Sequence, residues 1–253
     1  LAALMRTRRT VVLSGAGVST ESGIPDYRGP DSPRRERAPI SYQEFVGEAR
    51  ARRRYWARSS VGWPHFTAAR PNAGHRALAQ LEAAGYVTGV ITQNVDRLHQ
   101  EAGSESVVEL HGALADVRCL RCGRRTRRTA YQRRLLQANP GWPPESATLA
   151  PDGDAVLPDA AIPDFRVPGC TRCGGTVKPD VVFFGESVPH ARVDAAWTLF
   201  EQSDMLLVVG SSLAVYSGFR FVRRAAQDAR PVGIVNLGPT RGDAHARLRL
   251  EGR

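Results

Sequence analysis

Residues 10–17, TVVLSGAG, decide the fold class, because an apolar β-branched run leads directly into a glycine-rich turn. The run 10–14 predicts a short buried strand, and Gly15, Ala16 and Gly17 predict a tight turn that opens a helix. In parallel sheets such a turn lets backbone amides approach a pyrophosphate, and the helix N-terminus offers partial positive charge. By itself the string also fits an ordinary turn, since Thr20 occupies the place of the third glycine in the usual fingerprint.

Outward from this string, apolar runs alternate with helix-like stretches along most of the chain. We predict strands over 10–14, 87–92, 107–110, 181–184, 205–209 and 232–236. We predict helices over 72–85, 94–102, 191–202 and 219–226, the first of them capped by Asn72. Strands that alternate with helices, and that are apolar throughout, favour a parallel sheet covered on both faces. The predicted fold is therefore an α/β, Rossmann-like domain with helices on both faces of the sheet, built from 1–115 and 176–253.

The middle of the chain carries all four cysteines, as two C-x-x-C pairs: Cys119 with Cys122, and Cys170 with Cys173. This pattern predicts one Zn²⁺ held tetrahedrally. Four thiolates leave no open coordination position, so the zinc should be structural and not catalytic. No cysteine remains for a disulfide, which suits a reducing compartment.

Two irregular stretches interrupt the pattern of strands and helices. Residues 139–164 are rich in Pro, Gly and Asp, and residues 29–41 are rich in Pro and Arg. Both stretches predict loops, and the loop over 29–41 is expected to be mobile. We therefore predict a small zinc-binding insert domain over 116–175, to which residues 29–70 add a further part.

Composition limits the partners and the compartment. The net charge is +10, but 34 of the 35 basic residues are arginine and only Lys178 is lysine, so the charge reflects arginine spread over the surface. The short basic runs are not interleaved with aromatic residues, as a base-stacking platform would be, so we do not expect a nucleic-acid partner. No apolar run approaches the roughly 20 residues that span a bilayer, and the first twenty residues show no secretory signal. We predict a cytoplasmic protein without a membrane partner.

The chain carries six longer strings in order: GAGVSTESGIPDYRG (15–29), TQNVDRLHQEAG (92–103), ELHG (109–112), KPDVVFFGE (178–186), GSSL (210–213) and NLG (236–238). Together they strongly resemble the sirtuin family of NAD⁺-dependent protein deacylases. The strings lie across residues 11–240, and six ordered matches are too many for coincidence. The resemblance implies the Rossmann-like fold, NAD as cofactor and one structural zinc.

Four further strings resemble the class II branch of that family: YWAR (55–58), GWP (62–64), APDGD (150–154) and VYSG (215–218). This branch includes the mitochondrial sirtuin associated with lipoamide removal and weak ADP-ribosyl transfer. The composition favours a bacterial member of the branch.

The resemblance also implies a set of NAD-binding residues. Ala16 and Gly17 would contact the phosphates with support from Arg28, and Tyr27 would guard the nicotinamide pocket. Asp96 would hold the nicotinamide amide, while Asn94 would orient the ribose and a water; the alternative is that Asn94 merely caps a helix. The implied set is Gly15, Ala16, Gly17, Ile24, Tyr27, Arg28, Gln93, Asn94, Asp96, Gly210, Ser211, Ser212, Asn236 and Leu237.

His111 is implied as the catalytic base, with Asn94 as the second catalytic residue. A lone histidine is more often structural, but His111 follows a predicted strand and lies near the sheet edge where ligands bind in such folds. A neutral imidazole can accept a ribose hydroxyl proton near pH 7. The residues implied in substrate binding, partly as an added backbone strand, are His111, Val182, Phe183, Phe184, Gly185 and Glu186. The alternative for the two phenylalanines is core packing, which one of them should show.

The implied reaction removes an acyl group from a lysine of another protein and yields nicotinamide, free lysine and O-acyl-ADP-ribose. Mono-ADP-ribosyl transfer to a protein from the same site is the nearest alternative. An NAD-dependent oxidoreductase lacks an identifiable hydride site, and a nucleic-acid-binding zinc module leaves Asn94, Asp96 and His111 unexplained. No Tyr-x-x-Arg pair, which marks desuccinylating sirtuins, follows directly after the first string (15–29), so longer or lipoyl-like acyl groups are favoured over succinyl. We expect a monomer.

Overall fold

The structure of the chain, a computed structural model, describes residues 1–26, 28–29, 39–144, 148–149, 155–157 and 162–252. Tyr27 and most of the loop predicted over 29–41 lie outside these residues. The strands are β1 (Thr10–Ser14), β2 (Val87–Thr92), β3 (Val107–Glu109), β4 (Gly112–Cys119), β5 (Arg125–Arg127), β6 (Thr148–Leu149), β7 (Ala155–Val156), β8 (Val177–Val181), β9 (Met205–Val209), β10 (Val232–Val235) and β11 (Leu248–Leu250). The helices are α1 (Ala2–Met5), α2 (Tyr42–Gly47), α3 (Ala49–Ala68), α4 (Ala73–Ala83), α5 (Leu98–Glu101), α6 (Arg128–Ala138), α7 (His190–Glu201) and α8 (Tyr216–Gln227), with short 3₁₀ helices at Ala16–Ser22 and Asp243–His245.

Internal contacts divide the chain into two units. The first unit comprises Leu1–Ser32, Arg70–His111 and Val188–Arg253, and the second comprises Pro33–Ala69 and Gly112–Ser187. The sequence placed the boundaries of the small domain at 116 and 175. In the structure the second unit also takes in 112–115 and 176–187, because β4 and β8 pair with each other in one sheet.

The strands of the first unit form one parallel sheet of six, in the order β11-β10-β9-β1-β2-β3. The predicted α/β fold with a parallel sheet is therefore confirmed, and β11 is an edge strand that was not predicted. From β1 the chain builds outward through β2 and β3 on one side, and through β9, β10 and β11 on the other. The strand order thus reverses between β1 and β9, and open parallel sheets bind ligands at the carboxyl ends of strands beside such a reversal.

Helices cover both faces of this sheet. Successive side chains of a strand point to opposite faces, so an apolar strand needs a packing partner on each face. Val11 and Leu13 of β1 pack in a cluster with Phe200 of α7 and residues of α8. Val12, which lies between them, packs on the other side in a cluster with Leu78 of α4. Every residue of β1 is buried, including Thr10 and Ser14 at its ends, and the three residues between them are apolar because both faces of the strand are covered.

One predicted helix agrees with the structure and another is wrong in extent. The helix predicted over 72–85 is α4, and the Asn72 side chain caps it by accepting a hydrogen bond from the His75 amide (3.2 Å). The helix predicted over 94–102 is only α5, which begins at Leu98, because Arg97 takes the left-handed φ of 66° just before it. Asn94 therefore does not cap α5, and its side chain is directed to other partners.

The second unit is built on the three-stranded antiparallel sheet β5-β4-β8. The strand predicted over 181–184 is wrong, because the chain pairs over Val177–Val181 and leaves the sheet before Phe184, which makes a single parallel bridge with Ser41. The apolar letters at 181–184 misled the prediction. Strand β8 is buried along its whole length although it contains Lys178 and Asp180.

Helices α2, α3 and α6 pack on this second sheet around an aromatic core that includes Phe45, Trp56 and Tyr131. None of these helices was predicted, since the apolar positions of α3 and α6 are interspersed with arginines and α2 has only six residues. The loop predicted over 139–164 contains the short antiparallel pair β6–β7. Among the described residues, every helix is too short or too polar to cross a membrane.

Candidate active site

The carboxyl ends of five neighbouring strands carry most of the predicted cofactor residues. Gly15 follows β1, Gln93 follows β2, Gly210 follows β9 and Asn236 follows β10. His111 comes two residues after the end of β3, which pairs with β2. Because parallel strands end at the same edge, the structure brings these residues to one edge of the sheet, within the first unit.

The turn from Gly15 to Gly17 packs directly against the turn that follows β9. The Gly15 N–H donates to the Val209 carbonyl (3.1 Å) and the Gly17 N–H donates to the Gly210 carbonyl (2.8 Å). A Cβ on Gly15 would lie 2.7 Å from the Cβ of Ser211, and one on Gly17 would lie 2.9 Å from the Gly210 oxygen. The close approach of two backbones therefore requires both glycines. The Gly17 amide, which the sequence assigned to a phosphate, is used within the protein.

Asn94, Ser19 and Asp96 form one hydrogen-bonded group. Asn94 Nδ2 donates to the Gly15 carbonyl (3.0 Å) and to Ser19 Oγ (3.1 Å). Ser19 Oγ donates to Asp96 Oδ2 (2.7 Å), and the Leu98 amide donates to Asp96 Oδ1 (2.9 Å). Sequence reasoning selected Asn94 and Asp96 but missed Ser19, although Ser19 stands only four residues after Gly15 in the first family string.

Gln93 joins three elements at the sheet edge. Its Nε2 donates to Ser211 Oγ after β9 (2.9 Å), and its amide donates to the Ser14 carbonyl in β1 (3.0 Å). Its own carbonyl lies 3.0 Å from Nδ1 of His111. A Cβ on Gly218, in the first turn of α8, would lie 2.6 Å from Oε1 of Gln93. Gln93 therefore sets both the position of the imidazole and the approach of α8.

The His111 imidazole is held from two sides. A carbonyl can only accept, so Nδ1 carries the proton in the bond to Gln93, and the bare Nε2 lies 2.8 Å from Ser217 Oγ. Burial lowers the pKa of His111 to about 4; the Gln93 carbonyl opposes this shift, and the charges of Arg220 and Arg192 add to it. The ring is therefore neutral at pH 7, the state in which it can accept a proton.

A buried polar chain supports the strand ends. Ser14 Oγ donates to Thr92 Oγ1 (2.8 Å), and Nε2 of His99 lies 2.8 Å from Ser14 Oγ. The His99 ring packs edge-on against the His75 ring, with the centroids 4.9 Å apart. Burial lowers the pKa of both histidines, that of His99 to about 3, so both rings are neutral at pH 7.

The predicted adenosine-side residues shape turns through their own hydrogen bonds. Asn236 is buried, and its Nδ2 donates to the carbonyls of Leu237 and Gly238, both at 2.9 Å. The Ser212 carbonyl accepts from the Arg241 amide (3.0 Å). These contacts fix the backbone after β9, which lies beside the reversal of strand order, and after its neighbour β10.

The end of the first family string is only partly described. Ile24 is half-buried, and its amide donates to the Ser19 carbonyl (3.2 Å). Arg28 is exposed, and Tyr27 lies outside the described residues. The roles assigned to Tyr27 and Arg28 at the nicotinamide pocket and the phosphates stay predictions.

The predicted substrate segment 182–186 is a tight turn in the second unit. Glu186 Oε2 accepts from the Phe183 amide (2.8 Å) and from Nζ of the buried Lys178 (2.9 Å). Phe183 packs in the aromatic core of this unit, whereas Phe184 is 44% exposed. Phe183 therefore serves packing, and Phe184 is the aromatic side chain of the segment that a ligand could reach.

The four cysteines of the second unit fit a zinc ion. Their Sγ atoms all lie within 4.8 Å of one another, with Cys119 and Cys173 at 3.5 Å and Cys122 and Cys170 at 3.7 Å. Tetrahedral zinc with Zn–S bonds of about 2.3 Å places sulfurs about 3.8 Å apart. The Arg172 amide donates to Cys170 Sγ (3.4 Å) and lowers the pKa of Cys170, which favours the thiolate that zinc needs.

The sequence matches the Sir2 family over residues 15–217. The chain belongs to the Sir2 family. A bacterial relative, the NAD-dependent protein deacetylase of Xanthomonas axonopodis pv. citri (strain 306), is 55% identical over 246 residues, which cover 97% of this chain and 84% of that protein. The family expected from the six ordered strings is thus confirmed, while the class II branch stays a prediction.

Solved structures of the family share this fold. A complex of Sir2 with a p53 peptide and NAD⁺ has a TM-score of 0.77 and 33% identity, covering 98% of this chain and 90% of that chain. A Sir2 protein bound to a propionylated peptide has a TM-score of 0.74 and 31% identity, with the same coverage.

Sequence reasoning missed Ser217 as well as Ser19. Ser217 lies in the VYSG string, which was quoted only as a sign of the family branch. It is separated from His111 by 106 positions, and no local pattern places the first turn of α8 beside that ring. The pairing of Ser217 with His111 becomes visible only in three dimensions, where β3 lies beside β2 and the first turn of α8 packs against Gln93 at the end of β2.

Proposed function

We propose that this Sir2-family chain is an NAD⁺-dependent protein-lysine deacylase in which His111 is the base. The supporting observation is the neutral imidazole of His111, fixed by the Gln93 carbonyl at the sheet edge that also holds Asn94 and Asp96. The names of relatives such as the Xanthomonas protein support the same activity.

The residues at this edge suit a dinucleotide by their chemistry. Ser19, Ser211, Asn94 and Asn236 offer hydroxyl and amide groups that can bond ribose hydroxyls and phosphate oxygens. The glycine turn opens a 3₁₀ helix at the carboxyl end of β1, beside the reversal of strand order. When bound, NAD⁺ would supply an electrophilic ribose carbon from which nicotinamide departs as a neutral group.

The Asn94, Ser19 and Asp96 group would orient the nicotinamide ribose. Asn94 Nδ2 is directed at two acceptors of the protein, so its Oδ1 is the atom through which it would hold a water or a hydroxyl. Both oxygens of Asp96 accept hydrogen bonds, from Ser19 and Leu98, so the carboxylate keeps one orientation. Such fixed polar groups lower the cost of aligning a substrate.

His111 would take the proton of a ribose hydroxyl at Nε2. Because its pKa lies well below 7, the ring is in the accepting form throughout the neutral range. Once charged, the ring still donates from Nδ1 to the Gln93 carbonyl, which stabilises it. A positioned general base contributes about 10²- to 10⁴-fold to rate.

We propose that the acyl-lysine peptide is bound in part by the Phe184 segment of the second unit. The Phe184 carbonyl accepts from the Tyr42 amide (2.9 Å) and the Gly185 carbonyl accepts from Gln43 Nε2 (3.1 Å), so these acceptors are used within the unit. Binding by this segment should therefore depend on the exposed Phe184 ring. Phe184→Ala should raise the KM for the peptide, whereas Leu136→Ala, which shortens another exposed side chain of this unit, should leave it unchanged.

The acyl preference is also part of the proposal. The lack of a Tyr-x-x-Arg pair directly after the first string favours longer or lipoyl-like groups over succinyl. A related structure that holds a propionylated peptide supports acyl groups longer than acetyl. Acetyl-, propionyl-, lipoyl- and succinyl-lysine versions of one peptide should be compared by kcat/KM. A clear preference for succinyl would contradict this part.

The decisive experiment incubates the protein with NAD⁺ and an acetyl-lysine peptide, and identifies all products by mass spectrometry. Nicotinamide, free-lysine peptide and O-acetyl-ADP-ribose are expected in equal amounts. His111→Ala should lose about 10²- to 10⁴-fold in deacylation. His245→Ala removes an exposed histidine of the same unit and should keep full activity.

Two outcomes would contradict the proposal. Near-normal deacylation by His111→Ala would remove the base from the mechanism. ADP-ribosylated protein without acyl-ADP-ribose would instead favour mono-ADP-ribosyl transfer from the same site. The monomeric state and the cytoplasmic location stay predictions, and light scattering in solution tests the first.

A further inference from the structure

Ser217 is bonded to the atom that the proposed mechanism needs free. Its Oγ lies 2.8 Å from Nε2 of His111, and Nε2 is the nitrogen that would accept the ribose proton. The hydroxyl therefore stands where a substrate hydroxyl would have to stand.

The direction of this hydrogen bond follows from the other side of the ring. Nδ1 of His111 faces the Gln93 carbonyl, which can only accept, so Nδ1 carries the hydrogen. In the neutral ring Nε2 then has a lone pair and no hydrogen, so Ser217 must be the donor. An imidazole nitrogen has one in-plane lone pair and accepts from one hydroxyl at a time.

The backbone holds Ser217 in this position. The Gly218 amide donates to the Val215 carbonyl (3.2 Å), and Nε of Arg220 donates to the Ser217 carbonyl (3.1 Å). Gly218 fits so closely against the Gln93 side chain that a Cβ there would lie 2.6 Å from Oε1. The placement of the hydroxyl thus comes from the packing of α8 on the end of β2.

The surroundings keep His111 neutral, so the donor and acceptor roles hold in the resting protein. Burial has the largest effect on the ring, and the positive charges of Arg220 on α8 and Arg192 on α7 act in the same direction. Ser217 is in the first turn of α8, and the partial positive charge at the N-terminus of this helix also disfavours a positively charged His111 ring.

We propose that Ser217 is a positioning residue that occupies the Nε2 lone pair of His111 in the resting enzyme and yields it to the ribose hydroxyl of the bound dinucleotide. The inference rests on the proposed function, because it takes His111 as the base. One hydroxyl replaces another, so the ring keeps its tautomer and orientation when the ligand arrives. Ser217 then competes with the dinucleotide, and its hydrogen bond weakens dinucleotide binding.

The test is the Kd for NAD⁺, measured by calorimetry without peptide so that it does not depend on turnover. Ser217→Ala should bind NAD⁺ about 2- to 10-fold more tightly than the wild type, the range for one neutral hydrogen bond. Ser217→Thr keeps the hydroxyl and should keep the wild-type Kd. Tyr216→Phe changes an exposed neighbour in the same helical turn and should also leave it unchanged.

A double-mutant cycle separates this role from a structural one. In the His111→Ala background Ser217 has no ring to compete for, so adding Ser217→Ala should leave the Kd unchanged. Ser217→Ala alone should retain deacylation within a few-fold. Loss of deacylation as deep as in His111→Ala would show instead that Ser217 carries the proton, and would overturn the inference.

An ¹⁵N spectrum of the histidine rings gives a readout in the free protein. His111 should show a protonated Nδ1 and a bare Nε2, with the Nε2 resonance moved by Ser217→Ala and restored by Ser217→Thr. A protonated Nε2, an unmoved resonance or an unchanged Kd in Ser217→Ala would overturn the inference while leaving the proposed function standing. Failure of the wild type to bind NAD⁺ would overturn the proposed function itself.

Discussion

Replacing His99 by glutamine should make the fold less sensitive to acid, because folding keeps a proton away from this ring. His99 is 1% exposed, and its Nε2 lies 2.8 Å from Ser14 Oγ in β1. Burial, with a smaller contribution from the neighbouring His75, lowers the pKa of His99 to about 3. Glutamine can place an amide nitrogen near the position of Nε2 but does not titrate.

The size of the effect follows from the two pKa values. A histidine in an unfolded chain has a pKa near 6.5. Between about pH 6.5 and pH 3 the unfolded chain binds a proton that the folded chain does not, so the free energy of unfolding falls as the pH falls. From pH 7.5 to pH 5.0 the loss from His99 alone is about 2 kcal/mol. For a chain of this length that loss corresponds to a fall of about 4–8 °C in Tm.

Thermal unfolding of the wild type and His99→Gln, measured at several pH values between 7.5 and 5.0, provides the assay. Other acid-sensitive groups, such as His111 and the cysteines, are common to both proteins and cancel in the comparison. The glutamine variant should lose about 4–8 °C less than the wild type over this range. His245→Gln, an exposed control, should follow the wild type. Parallel curves for His99→Gln and the wild type would refute the reasoning.

The backbone packing at Gly210, the role of Ser19 in NAD⁺ turnover and the structural zinc can each be tested by one further comparison. Gly210→Ala and Gly85→Ala both strain a positive φ, of 59° and 79°, but only at 210 would the new Cβ overlap neighbouring backbone. Gly85→Ala should lower the free energy of unfolding by roughly 1 kcal/mol, the cost of strain alone, and Gly210→Ala should lower both this free energy and Tm by more. Ser19→Ala removes the link between the ribose-facing amide and carboxylate and should lower kcat/KM for NAD⁺ about tenfold or more, whereas Ser22→Ala on the same 3₁₀ helix should not. A thiol-reactive mercurial should release about one zinc per chain and lower Tm, and Cys170→Ser should contain little zinc; a chain purified without zinc that keeps its Tm would contradict a structural metal.

The first unit could be predicted largely because its central strands are buried on both faces. All residues of β1 are buried, as are Met205 to Val208 of β9, so the sequence shows apolar runs that no surface strand would have. The edge strand β11 escaped prediction because its residues are half-buried or exposed. The helix over 94–102 was overestimated because Arg97 adopts a left-handed conformation that its residue type rarely takes.

The second unit could not be predicted because its stability depends on pairings that a linear pattern hides. Asp180 is buried in β8 and pairs with Arg118 of β4 at 3.2 Å. A charged residue therefore occupies a buried strand position, which a hydropathy pattern would assign to the surface. In α3, Arg52 bonds the carbonyls of Phe45 and Val46 at the end of α2, which places an arginine on a packed surface. Apart from the family strings, the cysteine spacing was the signal by which the sequence marked this unit.

At the candidate site, single residues were predictable and their connections were not. The family strings pointed to Asn94, Asp96 and His111, because each stands in a distinctive context. Ser19 and Ser217 also lie in quoted strings, but nothing in those strings marks them as bridging residues. Ser19 bonds Asn94, which is 75 positions away, and Ser217 bonds His111, which is 106 positions away. Serine occurs throughout the chain, so only three-dimensional placement distinguishes these two.

The burial of Lys178 beside Glu186 limits how far reagents that acylate amines can modify this protein. Lys178 is the sole lysine of the 253 residues, it is 4% exposed, and its ammonium group lies 2.9 Å from the Glu186 carboxylate. Anhydrides, activated esters and acyl thioesters consume uncharged amines, and a shielded ammonium group is a poor target. The arginines that carry the surface charge keep it under such conditions. A protein proposed to remove acyl groups from lysines would thus have almost no lysine of its own that is open to acylation.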